Sequence, residues 1–243
     1  GPPTRGRGVG RDRGRQPGLG DWLADGVRRA AERLGPEAQQ AAIHAGGQEL
    51  PMHRGLHNPG VAVGYLVDPA PGRHTSTYTG ISSGPTMARY LKLADRKPAA
   101  RYDCAAKGAE MATTIPVLRA LDALGLCYFC LLIGDPPFLA WLRAANGWDV
   151  DEAEFFAIGR RIQAMRHGFN AREGITPGHV TLPARELGDP PLSDGPLAGI
   201  TLDGDAMAGG YFDTMGINPE TGWPLLDTLT ELGLHSVPNW PSS

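Results

Sequence analysis

The segment Asp122-Ala123-Leu124-Gly125-Leu126-Cys127 holds the residue types best suited to chemistry. Val117, Leu118, Leu121 and Leu124 form the buried stripe of a helix that leads into it. Gly125 is placed to take the left-handed conformation that ends a helix, with Leu126 packing back on the last turn. Cys127 then falls on a sharp turn just past the helix end. Asp122 falls in the last turn, where a carboxylate opposes the helix dipole by roughly 0.3–1 kcal/mol. Such a local conflict is expected where a site overrides stability. An ionised Asp122 can accept hydrogen bonds from the N–H groups of a heterocycle. A turn cysteine can ligate a metal cluster as its thiolate. The plainer alternative makes Asp122 a solvated surface acid and Cys127 a buried apolar filler.

Cys127 and Cys130 also form a Cys-x-x-Cys pair. A zinc module would need two more ligands, for which Cys104 and a histidine are the candidates. No second Cys-x-x-Cys and no His-x-x-His is present. Thioredoxin-like dithiol chemistry lacks a surrounding βαβ pattern. Three cysteines in 243 residues are an odd number, too few for a disulfide scaffold, and fit a reducing, cytoplasmic compartment.

The elements that must position this segment read as mainly α, an irregular helical domain with long ordered loops. Residues 1–19 are a flexible Gly/Arg/Pro-rich lead-in, whose arginines lack the aromatic partners of a nucleic-acid arm. From Asp21, the spacing of Trp22, Leu23, Val27, Ala30, Ala31 and Leu34 predicts one helix, stopped by Gly35. Glu37 to His44 predicts a second, ended by Gly46-Gly47. Residues 48–85 lose the helical period and read as a long loop with a strand-like piece, Val61 to Val67. Helices follow from about Met87 and from Ala105 to Leu124, the second kinked or restarted at Pro116. Asp151 and Glu154 cap a helix running to about Arg172, with Phe155, Ile158, Ile162, Met165 and Phe169 as its core stripe. Residues 181–202 read as loop, and Asp205 to Met215 and Leu225 to Leu232 as closing helices.

Composition narrows the function. The chain has 34 Gly and 22 Pro but 41% hydrophobic residues, so it is globular and loop-rich. A net charge of −3 argues against a basic nucleic-acid binder. The longest apolar run, Leu124 to Ile133, is about half of the roughly 20 residues a membrane span needs. The chain opens Gly1-Pro2-Pro3 without an initiator methionine, and we expect a larger protein to have lost its beginning there.

Asp122 to Cys127 resembles the D-x-x-G-L-C motif of the aldehyde:ferredoxin oxidoreductase family. Five further segments resemble that family in its own order. Leu19 to Val27 is similar to its G-x-x-L-A-E-G-V helix start, and Gln48 to His53 to its G-x-E-x-P stretch. Phe169 to Gly174 is similar to F-N-x-R-E-G, and Leu182 to Arg185 to L-P-x-R. Gly210 to Gly216 with Leu229 to Leu234 resembles the closing Y-Y-x-x-x-G-W-D to L-x-x-L-G-L pattern.

The resemblance implies a tungsten (or molybdenum) bis-pterin centre, a tungstopterin of the bis-molybdopterin type, beside a [4Fe-4S] cluster. It implies oxidation of small aldehydes to carboxylates with ferredoxin as electron acceptor. Cys127 matches the fourth cysteine ligand of the cluster, and Asp122 and Leu126 match pterin-contacting positions. His74 is the candidate active-site histidine, suited to proton transfer near neutral pH; His53 and His57 are less well placed. The family has an arginine four residues before this histidine and a basic residue two after it, where this chain has Ala70 and Ser76, with Arg73 nearby as a substitute. The other three cluster cysteines, the β-rich pterin cradle and the partner glutamate lie upstream in the family and have no counterpart here.

The resemblance further implies that residues 20–45 close a middle helical domain and that 46–243 form a C-terminal cofactor- and cluster-binding domain. The expected partners are ferredoxin, N-terminal domains of the same chain, a small aldehyde and a second copy in a homo-oligomer, with no nucleic acid and no membrane. The fragment alone is expected to be inactive and to expose a large face. On that face Asp122, Cys127 and His74 are expected together. The alternatives are a benzoyl-CoA reductase-like family member and a non-catalytic helical interaction module.

Overall fold

The computed structural model describes residues 19–77, 99–132 and 134–236. It is mainly helical, as expected, with long ordered connections between helices. The helix expected from about Met87 and the lead-in up to residue 18 lie outside the described residues.

The first predicted helix is two: α1 (Leu19–Leu23) and α2 (Val27–Leu34). They part at Gly26, whose φ of 87° is outside the helical range. The new start is capped from a distance, since Val27 N–H donates to Glu49 Oε1 at 2.6 Å. The next helix, α3 (Pro36–Ala41), has proline in its first turn and ends before His44. Gly46-Gly47 is a hairpin turn rather than a helix stop. Both residues have positive φ, and they join β1 (His44–Ala45) to β2 (Gln48–Glu49) in an antiparallel pair with His44 opposite Glu49.

The strand-like run is helix α4 (Pro59–Val67). Val61, Ala62, Val63, Tyr65 and Val67 are all buried, so α4 shows no polar face. An all-apolar run lacks the periodicity that separates a buried helix from a strand. A short 3-10 turn, His74–Ser76, follows.

The central element is α5 (Cys104–Ala123), capped by Asp103 Oδ1 accepting from Ala106 N–H at 3.1 Å. It runs unbroken through Pro116. After it come a 3-10 turn (Tyr128–Leu132) and α6 (Phe138–Asn146), a helix the sequence reading missed. Asp151 caps α7 (Glu152–Arg172) as predicted, accepting from Glu154 N–H at 2.8 Å. The closing helices are α8 (Gly204–Met215) and α9 (Leu226–Glu231).

Two hydrophobic cores share α5. Its first half contributes Met111, Ala112 and Ile115 to a core with α4 and with Met207, Tyr211 and Met215 of α8. Its second half contributes Val117, Leu118 and Leu121 to a core with Phe138, Leu142 and Phe155. Glycines let the helices approach closely. A Cβ on Gly108 would lie 2.1 Å from Met207 O, and one on Gly159 would lie 2.0 Å from Pro116 O. The expected core stripe of α7 is only partly buried: Phe155 is inside, but Met165 and Phe169 are 47% and 55% exposed. The inner face of α7 instead carries Gly159, Gln163, Ala164, His167 and Gly168.

Candidate cofactor site at the end of α5

The end of α5 has the geometry its sequence suggests. Gly125 has φ 71°, its N–H donates to Asp122 O at 3.0 Å, and Leu126 N–H reaches back to Leu121 O at 3.2 Å. Leu126 is half-buried against the second core, and Cys127 is exposed on the turn beyond. Cys127 O accepts from Cys130 N–H at 3.0 Å, opening the 3-10 turn.

Asp122 is neither a lone solvated acid nor left to oppose the helix dipole. Its Oδ2 sits 2.8 Å from Arg119 Nη1, one helical turn back. Arg119 is almost wholly buried at 3% exposure, and its Nη2 donates to Thr75 O at 3.4 Å. Burial pulls the guanidinium's pKa down, and Asp68 and Asp122 counter that pull. Arg119 therefore joins the Asp122 helix end to the turn that carries His74. Its Nε, Ser76 Oγ and Thr77 Oγ1 are buried without hydrogen-bond partners among the described residues, an unusual concentration for a folded protein.

His74 is half-buried, and its ring centroid lies 4.5 Å from that of His53 at an interplanar angle of 33°. Burial lowers its pKa below the usual histidine value, with further contributions from His53 and Arg73. The chain leading into the turn is pinned from α7. Asn170 Nδ2 donates to Pro69 O at 2.8 Å, and Arg166 grips buried Asp68 with two bonds of 2.8 and 3.2 Å. Burial alone would raise the Asp68 pKa, but the Arg166 bonds hold it below the usual carboxylate range. Ala70 N–H caps onto Asp68 Oδ1 at 2.8 Å, and Ser76 is fully buried, so neither position presents a charge.

The structure thus brings Asp122 and the His74 turn together on Arg119. Cys127 follows five residues after Asp122, across the Gly125 turn. Arg119 was the residue sequence reasoning missed. Its Arg-x-x-Asp spacing was visible, but its reach to Thr75, 44 residues away, was not. Cys104 starts α5 and Cys127 follows its end, and a helix of 20 residues is about 30 Å long. The three-cysteine zinc alternative therefore fails. Among the described residues no group of three or more His, Cys, Asp or Glu is arranged to hold a metal ion.

Residues 10–234 match the family described as "Aldehyde ferredoxin oxidoreductase, domains 2 & 3". The chain belongs to this family. It is 30% identical over 221 residues to the tungsten-containing aldehyde ferredoxin oxidoreductase of Pyrococcus abyssi (strain GE5 / Orsay), covering 90% of this chain and 34% of that protein. Its fold is similar to the active site complex BamBC of benzoyl coenzyme A reductase in complex with 1,5-dienoyl-CoA. That match has a TM-score of 0.61 at 19% identity and covers 90% of this chain and 37% of that one. The chain thus spans about a third of the length of each.

The site of this oxidoreductase-family chain fits part of such a protein's cofactor equipment. An exposed thiol on a turn suits one ligand of a [4Fe-4S] cluster, which takes about four. A partly exposed carboxylate anchored by a buried arginine suits the N–H groups of a pterin. No helix among the described residues is long and apolar enough to cross a membrane.

Proposed function

We propose that this chain is the C-terminal part of a cytoplasmic oxidoreductase that oxidises small aldehydes to carboxylates. Residues 20–45 close its middle domain and 46–243 form the cofactor- and cluster-facing domain. The observation that carries this reading is Arg119, which ties the Asp-x-x-Gly-Leu-Cys helix end to the His74 turn. A polar residue buried to that degree is expected where two parts of one site must keep register.

Asp122 and Leu126 would hold the pterin, Asp122 as acceptor for its N–H groups, and Cys127 would supply one thiolate to a [4Fe-4S] cluster. The tungsten- or molybdenum-pterin supplies the two-electron chemistry when bound. Oxidation of an aldehyde with water gives a carboxylate, two electrons and three protons. His74, kept neutral by burial, accepts one of those protons at its ring nitrogen. The electrons pass on to ferredoxin. The remaining cluster ligands and the rest of the pterin cradle come from domains outside this chain.

The test uses the chain joined to the protein encoded immediately upstream, prepared without oxygen. Elemental analysis should find about four Fe and one W or Mo per complex, and aldehyde should reduce a ferredoxin or a viologen dye. Zinc alone, or no metal, overturns the reading. Cys127→Ala should abolish the cluster's paramagnetic signal after reduction, and an unchanged signal rejects its role as ligand.

A second reading, a reductase of aromatic acyl-CoA thioesters, is favoured by the uncharged Ala70 and Ser76 on either side of His74. Turnover of a dienoyl- or benzoyl-CoA without any turnover of aldehydes selects it over the first.

A further inference from the structure

His53 lies just past β2, outside the motif positions given a chemical role above. Its backbone is fixed to α4, because the Tyr65 hydroxyl donates to His53 O at 2.8 Å. Tyr65 is fully buried, and burial pushes its pKa up, so it stays a donor. The His74 turn is fixed to the same helix. Thr77, which closes it, packs so tightly on Gly64 that a Cβ there would lie 2.2 Å from Thr77 Oγ1. Arg119 holds the turn from the side of α5. Two imidazoles on separately anchored backbones therefore meet at a centroid distance of 4.5 Å.

We infer that His53 is the positioning residue for His74: its ring fixes the plane of the His74 imidazole and keeps that imidazole in its proton-accepting form. Like charges this close repel, so protonating one ring disfavours protonating the other. Arg73, on the turn itself, acts in the same sense. Arg119 reaches Thr75 O from α5 but is paired with Asp122. α4 carries no charged side chain, and Asp68, just beyond its end, is neutralised by Arg166. The direction found for His74 agrees, with burial the larger cause and His53 the next. This inference rests on the proton-carrying role proposed above for His74.

The test reads the neutral fraction of His74 directly, through the pH dependence of its carbethoxylation by diethyl pyrocarbonate in the full chain. Trypsin cuts after Arg54 and Arg73, so mass spectrometry reads His53 and His74 on separate peptides. His53→Gln should move the His74 midpoint up by roughly half a pH unit or more. His53→Lys, which restores a cation, should bring it back down. An unchanged midpoint in His53→Gln overturns the inference. So does the same midpoint in both variants, which marks a loss of packing only. In the metal-loaded complex, the acid limb of kcat/KM should follow the His74 midpoint in each variant. If the midpoint moves but the kinetics do not, His53 keeps its positioning role and the assignment of His74 as proton carrier falls.

Discussion

Adjacent glycines on α8 should respond in opposite directions to the same substitution. A Cβ on Gly210 would lie 2.1 Å from Ala105 O and 2.9 Å from Ala105 C, both backbone atoms of α5. No rotamer change relieves a backbone contact. Ordinary contact begins near 3.4 Å, so α8 would have to retreat from α5 by about 1.3 Å. That retreat loosens Met207 and Tyr211, both fully buried against the first core. Overpacking of this kind costs up to about 3 kcal/mol, while replacing a helical glycine by alanine returns about 1 kcal/mol. The net loss for Gly210→Ala is about 2 kcal/mol, or a fall in Tm of about 4–8 °C for a chain of this size. Gly209 has nothing within 4 Å of its would-be Cβ, so Gly209→Ala keeps the propensity gain and should raise Tm by about 2–4 °C. Thermal melts followed by far-UV circular dichroism compare the two. Equal melting temperatures would refute the claim that glycine sets the spacing of α5 and α8.

Three further outcomes follow from charged and polar groups. Asp68→Asn leaves the Arg166 guanidinium without its two-bonded partner and should cost about 3 kcal/mol in urea unfolding. Because Arg166 holds the Asp68 carboxyl below its usual range despite burial, the pair stabilises fully above about pH 4. Wild type should lose that contribution on further acidification, and Asp68→Asn should not. His167 is fully buried beside Tyr211, and burial pushes its pKa down to about 3. The unfolded chain takes up this proton near pH 6.5, so stability should fall as pH drops below 6.5, by about 2 kcal/mol at pH 5. In His167→Asn that slope should shrink by the same amount, as read from urea midpoints at the two pH values. Glu49→Ala removes the carboxylate that caps Val27 N–H and should cost about 1 kcal/mol, with faster amide exchange at the start of α2.

What the sequence made legible was local. Asp151 caps α7, and Gly125 ends α5 with Leu126 folded back, because both motifs are closed by atoms within a few residues of each other. What it hid depends on distance. α4 looked like a strand because the surrounding core removes any polar face to mark its period. Gly46-Gly47 fits a helix stop or a hairpin turn equally well until Glu49 pairs with His44. Met165 and Phe169 keep helical spacing yet face outward, since the inner face of α7 is taken by Gly159 and by a polar chain. In that chain Arg166 Nη1 donates to Gln163 Oε1 at 2.8 Å, and Gln163 Nε2 donates to the Tyr211 hydroxyl at 2.9 Å. At the candidate site, a six-residue motif singles out Asp122 and Cys127, and only the fold brings in Arg119.

The sharing of α5 between the two cores bears on how the chain comes apart. Its first half is wall to one core and its second half to the other, with Pro116 at the junction. Neither core can melt while the other keeps α5 whole, so the two should behave as one cooperative unit in native-state hydrogen exchange. Arg119 spans the same seam, with Asp122 on the second core's side and Thr75 on the first. A slight slip between the halves would be felt at that guanidinium, so the register between the Asp122 helix end and the His74 turn would fail before the fold does.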